Sequence, residues 1–173
     1  VIQQIESFKN TFLYFFSFQG LILYLITLVF VKSLHELGHA FVSKYFGCRV
    51  SSIGIAFLVF FPFLYTDTSD AWRLRDHKDR LLINFAGILT ELHLALISTF
   101  LWAILPDGGL KSVAFFIATT SWISSLAINV SPFMRFDGYY VFSDWLKAEN
   151  LQPRSFALAR WQLREILFGF NHP

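Results

Sequence analysis

An all-α protein that crosses a bilayer three times is the fold class this sequence predicts, and three observations predict it. Of its 173 residues, 55% are hydrophobic and only 15% are charged, against roughly 25% charged in ordinary soluble domains. Three segments each supply the roughly 20 apolar residues a helix needs to cross the hydrocarbon core. The basic residues then gather on one side of the resulting topology.

The first span runs from about Phe18 to Phe46, built on the run from Leu21 to Val31, with Gly47 as a natural stop. Upstream, Thr11 to Phe18 is aromatic and suits an interface or an earlier element. Val50 to Tyr65 is apolar but too short to cross, and Gly54 and Pro62 interrupt it. We expect strand-like or re-entrant backbone there, tolerated at membrane depth only where protein buries it. The second span runs from Leu81 to Leu105 and ends at the turn Pro106-Asp107-Gly108-Gly109. The third runs from Leu110 to Val130 and stops at Ser131-Pro132. From residue 139 to 173, aromatic residues such as Trp145 and Trp161 alternate with Arg154, Arg160 and Arg164. That pattern suits helices lying along the interface. One membrane-embedded domain over 1–173 is expected, with its core at about 18–140 and interfacial helices at 141–173. Val1 begins the chain and Met134 is the only methionine, so it reads as processed or as a piece of something longer, with further domains or subunits as partners. The first apolar run lacks a small-residue cleavage site and is not read as a signal peptide.

Three spans put residues 44–80 and 131–173 on one side. Of the 14 Lys and Arg, only Lys9 and Lys111 fall on the other side, and Lys32 lies inside the first span. By the positive-inside rule the first side faces the cytoplasm. A net charge of +2, with no basic stretch interleaved with aromatics, argues against nucleic acid. The single cysteine, Cys48, excludes an internal disulfide and a Cys₄ zinc site.

The chemistry lies in His35-Glu36-Leu37-Gly38-His39, at the cytoplasmic end of the first span. Histidines four residues apart stack on one helix face, about 6 Å apart along the axis. They can clamp one zinc ion, and the glutamate between them can reach a water on it. A catalytic zinc usually takes three protein ligands. A metzincin extension is excluded, because Val42 and Tyr45 stand where its glycine and third histidine would be. Asp137, Glu91, His93, His77 and Cys48 remain as donors. Asp137 is the best placed, because the third span returns to the histidines' side and Asp137-Gly138 is a turn that can aim a carboxylate back.

An HExxH ending one membrane helix, with Asn129-x-x-Pro132 and then Asp137-Gly138 after a later one, resembles the site-2 protease family of intramembrane metalloproteases. Asn129 to Tyr140, Tyr65-Thr66-Asp67 and Ala86 to Leu92 are most similar to its bacterial branch of peptide zinc metalloproteases, often associated with maturation or export of small modified peptides. The resemblance spans roughly residues 30 to 140. It implies zinc held by His35, His39 and Asp137, with Glu36 as general base. Asn129 could cap the third span or bond a substrate strand, and the resemblance favours the second. Two positions depart from the family pattern. Gly87-Ile88-Leu89-Thr90-Glu91 stands where Gly-Pro-x-x-Asn is common, and Arg135 stands where a second proline is common.

An intramembrane acid must be neutral, paired or functional, so Glu91 is expected either to pair, with Lys32 as one partner, or to act on the substrate side. His93 lies about 200° around the helix from Glu91 and is expected to be a neutral, hydrogen-bonded histidine. His77 reads as solvated and Cys48 as a small buried hydrophobe. The expected protein is a zinc-dependent intramembrane or juxtamembrane endopeptidase of the bacterial plasma membrane. It would cut a membrane-associated protein or small precursor peptide near the cytoplasmic face, with lipid and a peptide or single-span substrate as partners. The alternative is a membrane metal-binding module that escorts a peptide without cutting it. A proton relay through Glu91 and His93 is weaker, since the two side chains point apart.

Overall fold

The computed structural model describes residues 17–58, 61–131, 134–148 and 150–169. The aromatic flank before residue 17, Lys9 and Pro132 lie outside them. Ser17 opens α1 (Phe18–Tyr45), its Oγ accepting from the Gly20 amide at 3.0 Å, which satisfies a donor that a helix start leaves bare. At the other end Gly47 takes φ 75°. Its amide donates to the Lys44 carbonyl at 3.0 Å, and that of Cys48 donates to Ser43 at 2.9 Å. This double closure needs a left-handed residue, which is why glycine stands there.

The 50–65 segment is the strand-like alternative. β1 (Ile53–Leu58) and β2 (Phe61–Thr66) pair antiparallel, with Ile53 opposite Thr66 and Gly54 opposite Tyr65. The Thr66 hydroxyl donates to the Glu36 carbonyl at 3.0 Å, so the hairpin is tied to the turn of α1 that carries the motif. A short 3₁₀ turn (Ser69–Arg73) leads to α2 (His77–Ile104), capped by Asp76 accepting from the Lys78 amide at 2.9 Å. That cap starts the helix one turn before the apolar run. After the turn at Gly108, α3 (Gly109–Trp122) runs without a break into wide π-type turns over Ile123–Asn129, closed by the Val130 amide donating five residues back to Ser125 at 2.9 Å. α4 (Asp137–Trp145) and α5 (Leu151–Phe168) follow.

Among the described residues, three helices are long and apolar enough to cross a membrane: Phe18–Tyr45, His77–Ile104 and Gly109–Asn129. Their packing is that of a lipid-solvated bundle. α1 turns Thr27, Val31, His35, His39 and Ser43 inward, α2 Ala86, Gly87, Glu91, Ala95 and Ser98, and α3 Ala114, Ala118, Thr120 and Ser121. Small and polar residues meet at the helix contacts, where close backbone approach supplies the packing energy that lipid does not. Leu25, Val29, Phe30, Ile97, Phe100 and Ile104 face outward. In water so much exposed apolar surface would aggregate; in lipid it is the solvated face. α5 buries no residue.

Candidate metal centre

His35 and His39 project from the inward stripe of α1, with their Nε2 atoms 3.2 Å apart. Asp137, the first residue of α4, brings its Oδ2 to 2.8 Å from His35 Nε2 and 3.3 Å from His39 Nε2. Among the described residues these three form the one group of donors gathered closely enough to hold a metal ion, all lying within 4.8 Å of one another. A tetrahedral zinc with bonds of about 2.0–2.1 Å separates neighbouring donor atoms by about 3.3 Å. The three donors therefore fit the ion that their chemistry suits.

Each ring is fixed from behind. His39 Nδ1 lies 2.7 Å from the Ile83 carbonyl of α2, and His35 Nδ1 lies 3.1 Å from Glu91 Oε1. Holding Nδ1 in this way turns Nε2 of both rings toward Asp137, where a metal ion would take the place of the Nε2 protons. α2 comes close enough because residue 87 is glycine. A Cβ there would land on the His35 ring and on His39 Nε2 at a separation that real Cβ atoms do not show. Gly138 plays the same part for the third donor, since a Cβ on it would strike the Asn129 carbonyl and the Val130 backbone. That close return aims Asp137 at the histidines. Burial alone would raise the Asp137 carboxyl. Hydrogen bonds to His35 and His39 and the nearby imidazole charge overcome this and hold it well below the usual carboxylate range, so it is an anionic donor. α4 itself is pinned to α2 by Asp144, which meets Arg80 at 3.0 Å and accepts from Asn84 at 2.7 Å.

A cleft of about 380 Å³ opens beside the donors, lined among others by Glu36, His39, Asp137, Thr66, Trp72 and Tyr140. Glu36 is half-buried and shares this cleft with two of the three donors. Glu91 and Asn129 are not among its lining residues. Glu91 is 0% exposed and Asn129 3%, and both lie behind His35. Lys32 pairs with Glu91 at 2.8 Å. His93 points away, its Nδ1 2.7 Å from the Leu89 carbonyl of its own helix. His77 lies 2.7 Å from an Arg80 nitrogen, and Cys48 is buried with Ala71 and Ile83. Sequence reasoning missed Ser124 and Ser125, which donate to Glu91 Oε1 and Oε2 at 3.2 and 2.8 Å. A pair of hydroxyls in an apolar span, opposite a span holding an acid, was the available signal.

A family model described as Peptidase family M50 matches residues 21–107 of the chain. No curated protein and no solved structure matches. The matched stretch contains His35, Glu36 and His39 but ends before Asp137.

Proposed function

The chain belongs to peptidase family M50, membrane zinc metalloproteases, and on that premise we propose that it hydrolyses a peptide bond of a membrane-associated protein or small precursor peptide near the cytoplasmic face. The observation that carries this reading is the convergence of two histidines of an HExxH helix and a carboxylate from beyond the third span, at 2.8–3.3 Å. His35, His39 and Asp137 would hold the zinc. When bound, zinc supplies Lewis acidity to the scissile carbonyl and to a water. Glu36, in the same cleft, takes the proton from the attacking water and returns it to the leaving amine.

A helical peptide bond is shielded by its own hydrogen bonds, so the substrate enters locally unwound. β2 offers it an extended neighbour, since Leu64, Tyr65 and Thr66 line the cleft. The lysines and arginines at 44–80 and 131–173 support a cytoplasmic position for this end of the molecule. The mixed aromatic and basic surface of α5, with no buried residue, supports an interfacial position for it. Asn129 to Tyr140 and Tyr65 to Asp67 favour the bacterial peptide zinc metalloprotease branch, and with it a small precursor peptide as substrate. Residues 1–173 act as one domain in this reading.

The test is the Glu36→Gln chain, purified in detergent beside the wild type and given a panel of single-span proteins and short precursor peptides, with products mapped by mass spectrometry. The variant is expected to keep its zinc and lose cleavage. Cleavage at the wild-type rate would remove the mechanism. A wild type that binds zinc and peptide but leaves every peptide whole would favour the escort module instead.

A further inference from the structure

We infer that Glu91 is a positioning residue for the metal centre: its carboxylate, neutralised by Lys32, holds the Nδ1–H of His35 so that Nε2 stays turned toward the zinc. This rests on the zinc reading above and goes beyond it, because Glu91 neither lines the cleft nor belongs to the donor set. Glu91 is fully buried between three membrane helices, a position where an isolated carboxylate is costly. Every direction around it is occupied. Oε1 meets the Lys32 ammonium at 2.8 Å, His35 Nδ1 at 3.1 Å and the Ser124 hydroxyl at 3.2 Å. Oε2 accepts from Ser125 at 2.8 Å and from Asn129 Nδ2 at 2.9 Å. Lys32 also reaches Asn129 Oδ1 at 3.4 Å.

Such a network is more than is needed to neutralise one acid, for which Lys32 alone suffices. Three hydroxyl and amide donors fix the carboxylate plane, and the π-type turns bring them together on one side. Ser124 and Asn129 are five residues apart, which in an α-helix would set them about 140° apart. The wider i→i+5 winding cuts that to roughly 50°. Oε1, fixed in this way, lies 3.1 Å from His35 Nδ1. His39, by contrast, has only the neutral Ile83 carbonyl behind it. A carboxylate behind an imidazole raises its basicity and locks its orientation, so the two histidines are unequal ligands, with His35 the stronger.

The experiment uses the full chain in detergent, with zinc affinity read by competition against a chromophoric chelator. Wild-type zinc binding that His39→Ala abolishes supports the metal reading itself. A wild type that binds no zinc fells that reading and this inference together. With binding in hand, Glu91→Gln is expected to weaken affinity by about 10–100-fold. The double variant Lys32→Met/Glu91→Gln, which leaves no stranded ammonium, is expected to regain thermal stability while its zinc affinity stays at the level of Glu91→Gln. If affinity recovers along with stability, Glu91 only holds the helices together and the inference falls. It also falls if Glu91→Gln binds zinc as tightly as wild type. A further measurement needs no variant to fold: ring ¹⁵N resonances of the zinc-loaded wild type should show His35 protonated at Nδ1, and a bare Nδ1 overturns the proposal.

Discussion

Replacing Gly87 by alanine is the smallest change that should dismantle the metal centre. The added methyl would lie under 3.0 Å from the His35 ring and from His39 Nε2, whereas ordinary contacts of a Cβ lie at 3.4–4 Å. Relief therefore demands a shift of roughly 1 Å between α1 and α2, in an interior packed too densely to absorb it locally. Metal sites tolerate ligand displacements of about 0.2 Å, so such a shift costs at least one ligand bond. Overpacking adds about 1–3 kcal/mol of destabilisation. Loss of a ligand should cost no less than loss of its outer partner, so zinc affinity should fall by at least about 10-fold, or about 1.4 kcal/mol. Chelator competition in detergent reads the affinity, and thermal unfolding followed by circular dichroism reads the stability. Gly109→Ala is the matched control, because a Cβ there meets nothing within 4 Å. Zinc binding by Gly87→Ala at wild-type strength would refute the claim that α2 seats its backbone directly against the two rings.

Two further outcomes follow from the surroundings of the centre. Asp144→Ala leaves Arg80, whose Nε already lacks a partner in the structure, without its counter-charge and strips Asn84 of its acceptor. Breaking a buried pair from one side costs about 3–5 kcal/mol, and the lower end is expected because both side chains keep slight solvent access. Amide exchange across α4 should accelerate and zinc should bind more weakly; unchanged exchange would show that Asp144 does not anchor α4. The Cys48 thiol is raised, first by burial and then by the nearby Asp70, so its protonated form persists to higher pH in the folded chain than in the unfolded one. Iodoacetamide labelling at pH 8 should be slow in the native protein and at least about 100-fold faster after unfolding, where an ordinary thiol of pKa about 8.5 is exposed. Equal rates would mean that the Cys48 side chain is not buried beneath the 3₁₀ turn.

The spans were legible because each rests on a local signal of length and punctuation: an apolar run, Gly47 at one end, Pro106 to Gly109 at another. The HExxH pair was legible because helical spacing alone puts His35 and His39 on one face. The hairpin was half legible. Gly54 and Pro62 exclude a continuous helix, but the register of Ile53 on Thr66, and the bond from Thr66 to the Glu36 carbonyl, depend on packing that no local pattern encodes. Sequence alone leaves Glu91 between two roles for a similar reason. Its position on α2 follows from periodicity, but what surrounds it depends on how the third span winds. Phasing that span as a regular α-helix would scatter Ser124, Ser125 and Asn129. The π-type turns that gather them have no residue signature comparable to a glycine cap.

The charges of the proposed centre also explain why it can exist at membrane depth. Zinc brings two positive charges, which Asp137 and Glu36 balance, while Lys32 balances Glu91; the set closes to zero. A low-dielectric site tolerates ions only in such compensated groups. The position where family members commonly carry asparagine illustrates the constraint: Glu91 adds a negative charge there, and Lys32, two turns of helix below His39 and one below His35, supplies the matching cation at 2.8 Å. Neither residue is tolerable there alone. A chain that acquires Glu91 without Lys32 leaves an uncompensated carboxylate behind a metal ligand. One that acquires Lys32 without Glu91 strands an ammonium facing His35. The two substitutions therefore behave as one unit, and single changes at either position should cost more than the double change, in stability though not in metal affinity.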